Sequence, residues 1–526
     1  MRKMILAIAM VAIVVPSFAQ DSKSVEEELS EIAERRAEQR EKGIREGESV
    51  EYCGTHWKMQ EMMAKHPAMK ALYEKHQNAL EREHQAFLKD KESNPAAKAG
   101  TVYTIPVVFH VLHQNGLENI TYDQVVDAIA GLNRDYRLQN ADANFVASAF
   151  LGMPSDVEIE FALATKAPNG DCFNGITRTE SPLSFDGSDG VDQVQAIVDG
   201  NDVYQGLWQG DEYLNIFVAA DIGGAAGYTY TPSGWLGSAM NNGIWIKNTY
   251  VGSIGTSSIG RSRTLTHEVG HWLNLSHVWG GNNNPGVACG DDSVWDTPET
   301  MGWTTCTTTG TTCDGNLDNV ENYMEYSYCS KMFTQGQVNR MRSAITSSTG
   351  GRNNLWTNSN LNSTGANGAP LTLCKASFTA DGFVVCEGDN ITFTDDSYHN
   401  VTGWTWSFPG GSPSTSTTQH PTITYPTAGT YAVTLQATDG STTVSKTKTS
   451  YITVLPGVGS AAPIQEGFES LSFLPTTNWF IDNPDGGFEW EITSAAAYSG
   501  SKSIRMVNNG SNSGNKDEFI SNTIDL

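Results

Sequence analysis

The spacing of apolar and polar residues changes character several times along this chain. It opens Met1-Arg2-Lys3, runs apolar over residues 4–15, and continues Pro16-Ser17-Phe18-Ala19. A basic start, a short apolar run and a small residue at its end predict an export signal, residues 1–19, cut near Ala19. The run is too short to span a bilayer as a helix. Residues 20–98 are rich in Glu, Lys, Arg, Gln and Met with few β-branched residues, a composition that favours helices with solvated charged faces. Residues 95–100 read as a linker. The pattern then becomes mixed. Apolar runs predict strands at 104–112, 157–164, 212–219 and 243–251. Thr121 to Gln124 has the capping-box pattern and opens a helix with Val125, Ile129, Leu132 and Tyr136 on one face. Residues 333–345 read as a closing helix. Strands and helices in alternation predict an α/β unit with a helix lying under a sheet.

Beyond a linker rich in Asn, Ser, Thr and Gly at 352–372, the period falls to two. Alternating stretches at 391–394, 404–408, 431–435 and 450–454, split by Gly, Pro and Asp, predict a β-sandwich over 373–456. Residues 457–526 begin another β-rich module, with Phe488-Glu-Trp-Glu and Tyr498-Ser-Gly-Ser among its signals. It stops in what reads as mid-domain.

Chemistry concentrates in His267-Glu268-Val269-Gly270-His271-Trp272-Leu273-Asn274-Leu275-Ser276-His277. Histidines four apart on a helix share a face and can hold one metal ion. His277 must return to the same ion, so the helix has to end between His271 and His277. Three imidazoles leave the fourth tetrahedral position of Zn²⁺ open for water, as in a catalytic site. Glu268 is placed to take a proton from that water. Where the turn back to His277 usually carries Gly, this chain has Asn274, the non-glycine residue that best tolerates a left-handed backbone.

The remaining signals widen the site. Tyr52-Cys53-Gly54-Thr55 sits in the helical 20–98 segment. A lone cysteine there predicts a propeptide whose thiolate fills the open zinc position and holds the enzyme latent. Residues 222–232, Gly-rich and then alternating, predict an irregular edge strand able to pair with an extended peptide. His110 and His113 read as structural. After His277 little regular pattern remains, and Cys289, Cys306, Cys313 and Cys329 must hold the stretch, with three pairings open. Export permits disulfides; Cys374 and Cys386 are expected to pair, and Cys172 has no evident partner. The net charge is −26. From residue 99 onward 17 Lys+Arg face 42 Asp+Glu. That balance argues against nucleic acid and anionic membrane surfaces and suits a secreted protein that binds Ca²⁺.

Together these residues resemble the pappalysin family of metzincin zinc proteases. The matching pieces are Cys53-Gly54-Thr55, Gly224 and Gly227-Tyr228, the histidine motif, Asp296-Thr297-Pro298, Asn322-Tyr323-Met324-Glu325-Tyr326 and Phe333-Thr334-x-x-Gln337. The resemblance implies a two-subdomain α/β (α+β) catalytic domain, 99–351, behind a propeptide, 20–98. It implies zinc on His267, His271 and His277, Glu268 as general base and acid, Met324 beneath the metal, and Tyr326 as the phenol that stabilises the tetrahedral intermediate. It further implies substrate binding along Gly224, Gly227 and Tyr228, pairings Cys289–Cys313 and Cys306–Cys329, and calcium near Asp292 and Thr297. A preference for basic side chains does not carry over, because Tyr328 stands where relatives carry an acid. Trp404-Thr-Trp406-Ser-Phe408 and Gly429-Thr-Tyr431 resemble a PKD domain, an Ig-like accessory of secreted bacterial proteases, here expected to act as a spacer. The last module resembles part of a jelly-roll adhesin, which implies cell-surface or matrix adhesion and attachment through a region beyond Leu526. The expected function is a secreted, zymogenic zinc endopeptidase acting on extracellular proteins. The rival expectation is a catalytically silent adhesin on the same scaffold.

Overall fold

The computed structural model describes residues 50–93, 100–200, 208–234, 239–281 and 285–457, and parts of 459–525. The export signal, residues 20–49 and most of the 95–100 linker lie outside the described residues. So do Phe488 and Tyr498.

The described part of the 20–98 segment begins with a strand, β1 (Glu51–Cys53), followed by helices α1 (Thr55–Lys65) and α2 (Pro67–Ser93). Next come β2 (Tyr103–His113), α3 (Tyr122–Tyr136), β3 (Ile159–Leu163), β4 (Ile176–Glu180) and α4 (Gly190–Asp199). The run continues with β5 (Leu214–Ala219), β6 (Ala225–Thr229), β7 (Ile244–Lys247) and α5 (Thr264–Trp272). Two further helices, α6 (Gln335–Thr346) and α7 (Asn358–Thr364), close the unit.

Seven strands form one sheet in the order β1-β6-β7-β5-β2-β3, with β4 also on β2. Its pairings are parallel except β6 against β7. Because side chains alternate faces along a strand, β2 and β5 feed two cores. Val107, Phe109, Val111, Ile216 and Val218 face one core, which also holds Leu132, Tyr136, Val269 and Trp272 from α3 and α5. Val108, Leu112 and Phe217 face the other, with Trp208, Tyr228 and Trp245. The histidine-bearing helix α5 therefore lies under the sheet, as the alternation predicts.

Local signals behave unevenly. Thr121 caps α3 by accepting from the Gln124 amide. The Gln124 side chain turns elsewhere, donating to the carbonyls of Asn248 and Val251, and so ties α3 to the loop after β7. The predicted strand 243–251 is cut short by a 3-10 turn at Asn248–Tyr250. Thr334 and Gln337 form a full capping box on α6.

The second domain is a β-sandwich. Strands β8 (Phe378–Ala380), β9 (Val384–Cys386), β10 (Asn390–Asp395) and β11 (Gly403–Ser407) are followed by β12 (Thr415–Ser416), β13 (Thr422–Thr424), β14 (Gly429–Thr438) and β15 (Thr443–Leu455). They form sheets ordered β13-β10-β8 and β12-β11-β14-β15-β9. Phe393, Trp406, Phe408, Val433 and Leu435 fill the space between them. Farther on, Trp479–Asp482 pairs with Glu518–Ser521, and Glu491–Thr493 with Ser503–Arg505.

The expected Cys374–Cys386 bond is not formed. Cys374 is bonded to Cys172 across 202 residues, and Cys386 is a free, half-buried thiol. Position explains this. Cys386 lies in β9, in register with Leu455 of β15, whereas Cys374 precedes β8 beside Tyr398. The adjoining His399 bonds the Phe173 carbonyl of the catalytic domain at 2.7 Å. The sandwich is thus clamped to the catalytic domain at that end. This replaces both the expected pairing and the orphan status of Cys172.

Candidate active site

Helix α5 presents His267 and His271 one turn apart, both buried. It stops at Trp272, where the motif requires it to. Asn274 adopts φ 72°, the left-handed residue that ends the helix. The amide of Leu275 bonds the carbonyl of Gly270 at 3.0 Å, and that of Asn274 bonds His271 at 2.9 Å. These two bonds make a Schellman cap, with Asn in the position glycine usually holds.

His277 then folds back. The Nε2 atoms of His267 and His277 each lie 3.1 Å from that of His271. The Nδ1 atoms of His267 and His271 donate to the carbonyls of Tyr323 (2.7 Å) and Leu275 (2.8 Å). Carbonyls only accept, so in the neutral rings the proton sits on Nδ1 and the Nε2 lone pairs are bare. Bare lone pairs so close repel unless a cation lies among them. The donor set fits a single metal ion, with the outer carbonyls orienting the rings. Burial holds His271 down to about 4 and His277 well below its usual range, so the imidazoles stay neutral and able to ligate. The Cys53 sulfur belongs to the same cluster, all four ligand atoms lying within 4.8 Å of one another.

Glu268 is fully buried beneath β1 and β6. Burial pushes its carboxyl up to about 8, partly offset by hydrogen bonds from Cys53 and Thr55. Thr55 Oγ1 donates to its Oε2 at 2.9 Å. Two glycines are required by close approach. A Cβ on Gly227 would stand 2.7 Å from Glu268 Cγ, and one on Gly270 would stand 2.4 Å from Met324 Sδ. Glycine at 270 is what lets Met324, wholly buried, pack under the histidine helix.

The segment after Asn322 completes the floor. Asn322 exchanges hydrogen bonds with the Gln337 amide on α6, and its Oδ1 receives the Met324 amide at 2.9 Å. Tyr326 packs edge-on against His277, ring centres 4.9 Å apart, and its hydroxyl donates to the Cys53 carbonyl at 3.2 Å. Sequence reasoning assigned no role to Glu325, yet it is buried and its two oxygens take the amides of Trp303 and Tyr326. It ties the Tyr326 backbone to the disulfide-held loop. Only its place in the Asn322–Tyr326 run pointed to it.

The strand predicted at 222–232 is β6, with its outer side covered by β1. Gly224 and Gly227 offer their carbonyls to the amides of Glu51 and Gly54. The Tyr228 ring points away from the cleft and stacks on Trp245, centroids 4.9 Å apart, so only its main chain is available there. Cys289–Cys313 and Cys306–Cys329 are both formed. Asp292 and Thr297 meet, the Thr297 hydroxyl donating to Asp292 Oδ1 at 2.5 Å, and burial pushes Asp292 up to about 7. His110 is structural in its contacts, held between Thr177 and Asn215.

Residues 198–346 match the peptidase family described as pregnancy-associated plasma protein-A, and residues 378–454 match the PKD domain. An extracellular metalloprotease of Colletotrichum graminicola is 29% identical over 262 residues, 47% of this chain and 77% of that protein. Extracellular metalloprotease 1 of Coccidioides posadasii is 32% identical over 186 residues, 34% of this chain and 63% of that protein. An extracellular metalloprotease of Verticillium alfalfae is 36% identical, and the match spans half of its length. Among solved structures, a promirolysin mutant of Tannerella forsythia is 30% identical, with a TM-score of 0.48, covering 58% of this chain and 97% of that one. Mature mirolysin in complex with a cleaved peptide is 33% identical, with a TM-score of 0.44, covering 50% and 99%.

Proposed function

The chain belongs to the pappalysin family of metalloproteases, with a PKD domain behind its catalytic domain, and from that premise we propose that it is a secreted zinc endopeptidase made as a zymogen. The observation that carries this reading is the convergence of three buried imidazoles, two of them, His267 and His271, fixed by their outer nitrogens on carbonyls. His267, His271 and His277 would hold zinc, which when bound acidifies a water and polarises the peptide carbonyl.

The chain's own residues do the rest. Glu268 takes the proton from the attacking water and delivers it to the leaving amine. Its raised pKa belongs to the closed form; when the propeptide leaves, water reaches the carboxylate and it ionises more readily. Tyr326 exchanges the Cys53 carbonyl for the developing oxyanion as the target of its hydroxyl. β6, freed of β1, offers the Gly227 carbonyl and Thr229 amide to a substrate main chain. Met324 supports the ligand helix from below. In the latent form Cys53 would offer its sulfur as a fourth ligand.

Residues 20–98 serve as the propeptide and 99–351 as the protease. Asp292 and Thr297 form a calcium site: Asp292 is a buried carboxyl whose anionic form calls for a positive charge nearby, and oxygen donors suit Ca²⁺. No described helix is long and apolar enough to cross a membrane, and extracellular relatives support export. The C-terminal modules are proposed to bind cell surface or matrix.

The test is hydrolysis of casein by the processed protein, with and without a zinc chelator, beside Glu268→Ala. Chelator-sensitive cleavage lost in the variant supports the reading. An inert processed wild type returns the chain to the silent-adhesin alternative.

A further inference from the structure

We propose that Thr55 is a second lock on the zymogen, acting on the base Glu268 and independent of the Cys53 thiol. The proposal rests on the protease reading above and concerns how that site is kept silent.

Thr55 is the first residue of α1 and is buried. Its hydroxyl does two things at once. It donates to Glu268 Oε2 at 2.9 Å and accepts the amide of Thr229 at 3.0 Å. Both partners are groups that a working protease must offer to others. A carboxylate oxygen acting as general base needs the attacking water within hydrogen-bond reach, and Thr55 Oγ1 occupies that place. The Thr229 amide is a donor on β6, where an extended substrate would pair. One hydroxyl therefore removes both the water's seat on the base and a substrate anchor.

The amide of Thr55 bonds the Cys53 sulfur at 3.4 Å, but the placement of Thr55 rests chiefly on other contacts. The turn that carries it is held by main-chain bonds from Glu51 to Gly224 (3.1 Å) and from Gly54 to Gly227 (2.8 Å). It is bridged internally by Trp57 Nε1 donating to Glu51 Oε2 at 3.0 Å. The contact that occupies Tyr326 uses the Cys53 carbonyl, which every residue possesses. Replacing Cys53 with alanine thus removes one ligand atom and the long thiol contact to Glu268 Oε2 at 3.6 Å, while the 2.9 Å bond from Thr55 remains. It leaves the base, the phenol and the edge strand occupied.

The experiment uses the full-length zymogen as Cys53→Ala, Thr55→Val, the double variant, and Cys53→Ala with Thr55→Ser. Valine keeps the β-branched shape and drops the hydroxyl; serine keeps the hydroxyl. Peptide hydrolysis is measured over short times with the chain verified intact on gels. Exchange of the β6 amides with deuterium is followed in parallel. Removing one partner of a buried hydrogen bond supports roughly a tenfold effect. Cys53→Ala is expected to remain far below the processed enzyme. The double variant is expected to exceed it by about tenfold or more, and the serine variant to match Cys53→Ala. Exchange at Thr229 should quicken in Thr55→Val and not in Cys53→Ala.

Full activity of intact Cys53→Ala overturns the proposal. So does a double variant no more active than Cys53→Ala, or unchanged Thr229 exchange in Thr55→Val. The processed form of each variant has the wild-type catalytic domain and serves as its folding control. If processed wild type is itself inert, the protease reading fails, while the exchange measurement still tests the Thr55 contact.

Discussion

From Glu51 to Thr55 every residue of the propeptide is buried, whereas the 27 residues of α2 bury only Leu80, His84 and Phe87. The first stretch sits among the reacting groups and borrows their hydrogen bonds. The second lies along α6 and is held by a polar fringe. Glu81 pairs with Arg340 at 3.2 Å, Lys91 donates to Asn339 at 2.7 Å, and His84 bonds Ser343 at 3.1 Å. Two kinds of binding serve two purposes. On the zymogen reading proposed above, occupying the cleft would silence the enzyme and docking α2 would keep the blocking strand nearby. The first should respond to changes in site chemistry, the second to salt and pH.

The largest effect belongs to the cleft. Glu268→Ala in the processed enzyme should lower casein hydrolysis by about 10²- to 10⁴-fold. In the zymogen it also removes the partner of Thr55, and deuterium exchange should rise around β1 while α2 stays protected. Equal loosening of both halves would break the distinction. Next comes the helix end that aims His277. Asn274→Ala places a β-carbon on a left-handed residue and should cost about 1–2 kcal/mol, read as a lower unfolding midpoint in denaturant. Asn274→Gly should be neutral or slightly stabilising.

The two smaller effects belong to α2. Arg340→Ala should weaken rebinding of the cleaved propeptide only severalfold, because Glu81 is partly exposed and solvent-screened pairs contribute up to about 1 kcal/mol. Titration measured by fluorescence would show it, and raised salt should mimic it. The pH response rests on His84. Burial lowers its pKa and Arg340 adds to that, with Glu81 opposing. The docked form therefore binds fewer protons than the free form. Docking is strongest above the free value of about 6.5 and weakens as pH falls below it. Dissociation of the cleaved propeptide should quicken between pH 7.5 and 5.5, and His84→Gln should flatten that slope.

These two halves differ too in how far they could be read from the sequence. The histidine spacing alone located α5 and its end, because a shared metal leaves few geometries. Helix α2 followed from composition. Strand β1 did not: Tyr52-Cys53-Gly54-Thr55 has no alternation to detect, and its extended form comes from the open side of β6, some 170 residues away by the Glu51 to Ala225 register. Non-local pairing of this kind leaves no trace in a short window. Glu325 was invisible for a related reason, since a carboxylate turned inward onto amides looks in the sequence like any surface acid. The Cys172–Cys374 bond needed the approach of two domains, which neither cysteine's neighbourhood announces. Cys386 looked the better partner only because it is close along the chain.

That bond closes residues 172–374 into a covalent ring. Between Cys172 and Cys374 lie β6, the three histidines, Met324, Tyr326 and the linker to the sandwich. A single cut of the backbone anywhere in this ring opens it without parting the pieces. The nicked molecule keeps its mass, its ligands and its accessory domain until a reductant reaches the sulfurs.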